Sequence, residues 1–517
     1  MHLLYPTSAE DNSFRRDDMT LHTIKALGLP RLLTMDALDI LQFLSADPAV
    51  LTWRQTIFGD MKRIPTLYDI LKKLRSYIAD LRDLSRKRME GGNSTEDVLY
   101  SFGELKVFIE MIGEMTAALE EHWDNLHSDA MRTLFGSLKQ IAEDKQFSVM
   151  QSYIDTILSS MRFPRSMTIG VNLNARFEVY EAGVVSINSE YYTGSSVFTT
   201  LFGKAGDELR CSTPLVSGES SAAFSGAVYS VLNDAAAKAL KRSRTMMLSY
   251  IQSVVSGIYS IYDDLTFLLR AWEYVRETEE KKVRMCMPVF VSPENGTMQM
   301  HKLLNPVLLR KMSVSHITAN DVCFPEDASI FLITGPNSGG KSVYLRSVGI
   351  AVLTGQLGLP ITAHDAVLPL YEAVYCHLPT EDTENDSRLV EECKSMKKIL
   401  DSLTPRSAGN SARTSAGHIL LLMDESFSGT GSAEGAIIAE EVLKTIRSRR
   451  VCCIYSTHLH ELASRVPELN RRTPRIVTLS AEYESGRRTY RIVPKEPGGR
   501  SYAYEIAKTY GLEYTGD

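Results

Sequence analysis

Two hydrophobic rhythms divide this chain. Early on, apolar positions recur every three or four residues. Leu67, Leu71, Leu74, Ile78 and Leu81 follow at 4-3-4-3 spacing with charged residues between them, which puts them on one face of a helix. That stretch opens at Pro65-Thr66, where Thr66 is a candidate N-cap with Asp69 three residues on. It stops at the polar segment Gly91-Gly92-Asn93-Ser94. Residues 1–165 read as helical on this basis. Near Pro164 the rhythm changes. Residues 166–194 are rich in Val, Ile, Tyr and Phe with Gly and Asn punctuation, a pattern that predicts several short strands.

The helical period returns at about residue 226. Met247, Ile251, Val254, Ile258, Ile261, Leu265, Leu268, Trp272 and Val275 keep a strict 4-3 alternation, which is an a/d heptad seam. A helix of about 50 residues would run about 75 Å. Its seam could pack within its own domain or against a second chain. The first is favoured, because earlier helices can supply the partners. Residues 285–330 read as a β-rich lead-in. Beyond 331, short apolar runs alternate with helical patterns, which implies a parallel sheet. One Ser/Ala/Gly/Arg-rich stretch, 404–417, reads as a loop. The expected division is a helical core or lever domain at 1–165, a short β-rich segment at 166–225, long lever helices at 226–284, and an α/β domain at 285–517.

Composition narrows the class without naming it. A chain of 517 residues can bury several cores. The formal charge of −6 comes from interspersed signs and neither advertises nor excludes a nucleic-acid partner. The seven cysteines are scattered, and no CxxC pairs with another. Neither a zinc site nor a disulfide framework is indicated, and a reducing, cytoplasmic setting is expected. The N-terminal sequence MHLLYPTSAEDNSFRRDD lacks the basic-then-apolar order of a secretory signal. No run of about 18 apolar residues suggests a membrane span.

The chemistry concentrates in three strand ends. Phe331 to Thr334 is a short apolar run, followed by Gly335-Pro336-Asn337-Ser338-Gly339-Gly340-Lys341-Ser342 and then, from Val343, an apolar-periodic helix. This is GxxxxGK[ST] in the strand–loop–helix setting that the motif requires. Glycines let the backbone N–H groups face phosphate oxygens, and the helix N-terminus adds partial positive charge. Lys341 would reach the β- and γ-phosphates, and the Ser342 hydroxyl would ligate magnesium. A second apolar run, Ile419 to Met423, ends in Asp424-Glu425. Asp424 can hold the magnesium and Glu425 can polarise an attacking water. A third, Val451 to Tyr455, delivers Ser456-Thr457-His458, where a histidine can sense or stabilise the γ-phosphate. His460 is read as facing elsewhere. The expected ligands are ATP and Mg2+.

These segments together are more specific than a phosphate loop alone. GPNSGGKSVYLRSVG, LLLMDESFSGTGSAEG, the Ser-Thr-His at 456–458 and PGGRSYAYEIAKTYGL resemble the corresponding segments of the MutS family of DNA mismatch-repair ATPases. The likeness is dense over about 290–512 and weaker upstream, where the helices and short β segment are similar in kind to the family's lever and core. It implies an ABC-type ATPase domain, so the fold class expected is multidomain: a mostly α-helical lever and core region with a small β segment, followed by an α/β P-loop domain. It also implies a homodimer in which two ATPase domains pair head to tail, each completing the other's ATP site.

By that resemblance Gln356, in GQLGLP, takes the place of a family glutamine near the metal. The segment that reaches the partner's γ-phosphate corresponds to EDTENDSRLVEE, with Ser387 at the signature serine and Glu392 at its glutamate. There the family's glycine and arginine are replaced by Asn385 and Asp386. The adenine-stacking aromatic corresponds to Ile317 or His316. The resemblance provides no counterpart of the family's mismatch-reading domain, and the clamp is reduced to the β-rich segment. Phe102-Gly103-Glu104 and Phe108-Ile109-Glu110 match the family's mismatch-reading pattern by chance, within a helical stretch.

Two functions stay open on these grounds. One is an ATP-driven clamp on duplex or branched DNA, with Lys241, Arg242 and Arg244 as candidate phosphate contacts. The other is a MutS-type mechanical ATPase working on a protein or ribonucleoprotein partner. A membrane-transporter subunit is disfavoured by the heptad helices and the absent LSGGQ-type signature. A scaffold that barely hydrolyses is disfavoured by the full set of Lys341, Asp424, Glu425 and His458.

Overall fold

A computed structural model describes residues 3–6, 13–90, 96–160, 166–176, 179–188, 254–255, 257–292, 297–336, 338–378, 388–403, 418–428, 430–449, 451–471, 475–484 and 487–495. The chain divides into two compact units. One comprises 64–126 and 131–265, and the other 2–63, 127–130 and 266–517, apart from the first residue.

Among the described residues the first unit is helical with one hairpin. Helices Leu67–Glu90 and Glu96–Glu120 are followed by Asp129–Ala142 and Lys145–Ser160. Leu67, Leu71, Leu74, Ile78 and Leu81 are all fully buried, as their spacing requires. Thr66 precedes the first of these helices, but its hydroxyl bonds the His122 ring at 3.0 Å rather than an N–H of the first turn. A tertiary partner has displaced the local cap. Glu104 is buried beside Arg88 at 2.9 Å; burial raises its carboxyl pKa and the Arg88 guanidinium opposes this. Strands β1 (Ser166–Leu173) and β2 (Val179–Asn188) pair antiparallel. The remainder of the predicted β-rich segment lies outside the described residues, as do Lys241, Arg242 and Arg244 of the predicted lever helices.

The heptad seam does not lie on one unbroken helix. A turn at Ser260–Ile261 precedes the helix Tyr262–Glu280. Ile258, Ile261, Leu265, Leu268 and Val275 remain buried across the turn. At this turn the Ser260 hydroxyl bonds the Gly257 carbonyl at 2.8 Å, one of the local bonds that serine makes to nearby carbonyls. Met247 and Ile251 lie outside the described residues.

Two sheets organise the second unit. The smaller holds β3 (Val289–Val291), β4 (Met298–Leu303), β5 (Asn320–Phe324) and β7 (Asp365–Pro369) in the order β3-β7-β4-β5. The larger holds β6 (Ala328–Thr334), β8 (Ala373–His377), β9 (Ile419–Asp424), β10 (Val451–Ser456), β11 (Arg475–Glu484) and β12 (Arg487–Pro494) in the order β12-β11-β6-β10-β9-β8. Every pairing from β8 to β11 is parallel, and only β12 turns back. Parallel neighbours need crossover helices; Ser432–Arg447 joins β9 to β10, and His460–Leu469 joins β10 to β11.

Those helices explain the burial. Leu421, Met423, Cys453 and Tyr455 on one sheet face pack with Ala436, Ala439, Leu443 and Leu462. The helix Lys341–Gln356 is buried along nearly its whole length, so it shows no single apolar stripe. Gly349 is required there: an added Cβ would collide with Leu422 of β9 and come within 3.0 Å of Leu27.

Candidate functional site

Register brings the three predicted segments together. β6, β10 and β9 are neighbours, and Ser456 stands level with both Ile333 and Asp424. The three strands therefore end side by side, and the loops that carry Gly335, Glu425 and His458 leave the same sheet edge. Ligands bind at this edge in open α/β sheets, where strand order reverses. The main chain ties these loops together: Glu425 N–H donates to Ser456 O at 2.8 Å, and Thr457 N–H donates to Ile333 O at 2.9 Å.

The phosphate loop needs its glycines. Gly335 and Gly340 have φ of +123° and +93°, a region that side chains with a Cβ disfavour. A Cβ on Gly339 would meet the Ala481 methyl at 2.9 Å and Pro336 O at 3.0 Å. The helix starts at Lys341, with Gly340 at its cap position and no side-chain hydrogen bond capping it. Its first N–H groups thus retain their capacity for an anion. Lys341 arches over its own loop and donates to Gly335 O at 2.8 Å and Pro336 O at 3.0 Å. Burial pulls the ammonium pKa down, while Glu425 and Asp424 oppose this.

Ser342 Oγ donates to Asp424 Oδ1 at 2.8 Å, although 82 positions separate the two residues. Asp424 is 3% exposed and Glu425 is half-buried. Glu425 has φ of +49°, unusual for a residue with a side chain. His458 Nδ1 is buried and has no hydrogen-bond partner among the described residues. The donor set fits ATP with Mg2+. A hydroxyl and a carboxylate in contact offer the hard oxygens magnesium takes alongside phosphate and water. The lysine, the uncapped N-terminus and the orphaned imidazole nitrogen suit phosphate oxygens. Among the described residues no cluster of three His, Cys, Asp or Glu could cage a metal.

The other predicted residues are placed as follows. Pro336 and Ser338 belong to the loop, and Ser338 has φ of +62°. Val343 has an exposed side chain, and its carbonyl accepts from Ser347 Oγ at 2.6 Å. His460 is exposed at the first position of its helix. His316 ends a 3-10 turn and is exposed, while Ile317 is half-buried. Asn337, Asn385, Asp386, Ser387 and the 404–417 loop lie outside the described residues.

Gln356 departs from its expected metal role. It is fully buried, its Nε2 donates to Ser45 O at 2.9 Å and Tyr371 O at 2.7 Å, and its Oε1 accepts from Tyr371 N–H at 3.2 Å. Both ends of the amide are committed to main chain, so Gln356 joins the segments at 45 and 371 instead of offering an oxygen to a metal.

Sequence reasoning overlooked His377 and Ser426. His377 ends β8 and reaches Ser426, the residue after Glu425, at 2.6 Å. A single histidine at the end of an apolar run carries no spacing signal, and only the β8–β9 pairing brings it beside the Asp-Glu loop.

Comparison with known proteins gives two family matches. Residues 331–514 match MutS domain V, and residues 46–277 match the MutS2 N-terminal domain. Curated relatives include proteins named Endonuclease MutS2 from Streptococcus pneumoniae strains Hungary19A-6, CGSP14 and 70585, each 33% identical over 222 residues. That stretch covers 42% of this chain and 26% of each relative, so the likeness spans about a quarter of those proteins.

Proposed function

This chain belongs to the MutS family, and from that premise we propose that it is an ATP-hydrolysing, DNA-binding protein whose two ATPase domains close head to tail on ATP and reopen after hydrolysis. One observation carries the reading. Ser342 and Asp424 are in hydrogen-bond contact beside Lys341, which supports reading the loop at 335–342 and the strand end bearing Glu425 as parts of one site.

Each residue has a defined task. Loop N–H groups and the start of the helix Lys341–Gln356 receive the phosphates. Lys341 turns from its loop carbonyls to the β- and γ-phosphates and neutralises their charge. Ser342 and Asp424 would hold Mg2+, which when bound would supply positive charge to the phosphates. Glu425 accepts the proton of the attacking water. His458 uses its orphaned nitrogen on the γ-phosphate side. Ser387 completes the partner's site, as the family resemblance implies.

The DNA substrate is duplex or branched, bound mainly through its backbone. Steady-state ATP turnover with homoduplex, mismatched and branched DNA at two salt concentrations tests this. Stimulation or inhibition that fades as salt rises is the expected result. A negative formal charge of −6 favours a second reading, a protein or ribonucleoprotein partner. Turnover indifferent to every DNA at both salts would select it.

A further inference from the structure

The residue assigned to activate water sits on a backbone that is unfavourable by itself. Glu425 and Phe427 both have positive φ, +49° and +63°, and neither is a glycine. Such conformations persist only where the surroundings over-determine them. Four groups from three other elements do so. Tyr455 of β10 donates its hydroxyl to Ser426 O at 2.7 Å. His377 of β8 places Nδ1 2.6 Å from Ser426 Oγ. From the helix Arg388–Ser402, Glu392 accepts the Phe427 N–H on Oε2 at 2.8 Å. Arg388 holds Glu392 Oε1 at 3.0 Å and donates to Ser428 Oγ at 2.9 Å.

The hydrogen positions follow from the partners. His377 Nε2 lies 3.0 Å from Glu392 O. A carbonyl oxygen only accepts, so Nε2 carries the hydrogen and Nδ1 accepts from the Ser426 hydroxyl. Neutral His377 therefore satisfies both bonds at once. Its ring also lies against Phe427, with centroids 5.8 Å apart. His377 and Glu392 are 2% and 1% exposed, so these bonds lie away from bulk water.

We propose that His377 and Glu392 are positioning residues for hydrolysis: with Ser426 between them, they clamp the peptide that follows Glu425 and so aim its carboxylate at the phosphate loop. The inference rests on the assignment of Glu425 as the base. Neither side chain bonds the phosphate loop among the described residues. Their loss should lower kcat and spare affinity, because small displacements of a reacting group reduce rate steeply.

The test compares single-turnover hydrolysis with binding of a fluorescent ATP analogue in His377→Leu, His377→Gln, Ser426→Ala and Glu392→Ala. His377→Leu and Ser426→Ala should lower kcat at least about tenfold, with Kd unchanged within about twofold. His377→Gln should recover most of the rate, since its amide can donate to one partner and accept from the other. In the Glu425→Gln background, His377→Leu should add no further loss, as expected for groups acting as one unit. Wild-type kcat in both His377→Leu and Ser426→Ala overturns the proposal, as does an additive loss in the double variant. Should His377→Leu fail to fold, the milder Ser426→Ala decides. A different result, Glu425→Gln turning over like wild type, would remove the base assignment itself.

Discussion

At the scale of single residues, environment sets the chemistry. Asp424 and Glu425 are adjacent carboxylates, yet one is buried on the Ser342 hydroxyl and the other is half-open to the loop. Glu425→Gln should retain ATP while turnover falls about 10²–10⁴-fold, the usual worth of a general base; nucleotide retention and steady-state turnover read both. His377 offers a pH test. Burial lowers its pKa below the ordinary 6.5, opposed by the carbonyl and charge of Glu392 and reinforced by His22. A histidine with a lowered folded pKa contributes stability that is present above about pH 6.5 and is lost as pH falls through the folded value. Between about pH 7.5 and about pH 5.5, wild type should therefore lose more Tm than His377→Gln, which has nothing to titrate at that site. Parallel Tm–pH curves would rule this out.

Elements follow propensity until a neighbour intervenes. The face Leu67–Leu81 is buried as its spacing predicts, whereas Thr66 gives its hydroxyl to His122 and so leaves the capping role. The heptad seam stays buried through a turn, because burial depends on where apolar side chains lie and not on helical continuity. Close packing of the phosphate-loop helix on β9 rests on Gly349. Gly349→Ala should cost about 1–3 kcal/mol by overpacking, although alanine is the better helix former. Thermal denaturation showing a gain in Tm would mean that Leu422 and Leu27 can move aside.

Within the second unit as a whole, Arg54 ties distant segments together. It is fully buried, donates to Leu4 O at 3.2 Å and to Leu357 O at 3.4 Å, also bonds Phe43 O, and lies over the Tyr5 ring at 4.9 Å. Gly358, with φ of +83°, leaves space for it; a Cβ there would stand 2.7 Å from Arg54 Cβ. Arg54→Ala should destabilise this unit by about 3 kcal/mol or more, because several buried carbonyls lose a charged donor together. A two-probe unfolding experiment should show the ATPase unit melting earlier. An unchanged midpoint would show that water satisfies those carbonyls.

That three chemistry-bearing segments end side by side on one sheet was legible from residue order alone. The phosphate loop, the Asp-Glu pair and the Ser-Thr-His each follow an apolar run, and a loop that must bind phosphate at a strand end leaves a local signature. The alternation of strands and helices likewise implied the parallel sheet, since parallel neighbours need crossovers. Gln356, by contrast, sits in a segment that looks like its family counterpart, but its amide is consumed by the carbonyls at 45 and 371, a fact set by packing between segments far apart in the chain. His377 and Glu392 lie 49 and 34 positions from Ser426 by number, and no periodicity links them. Long-range pairing alone decides such contacts: strand order and register choose which side chains meet, and those choices arise from the whole folded unit and not from any local run of residues.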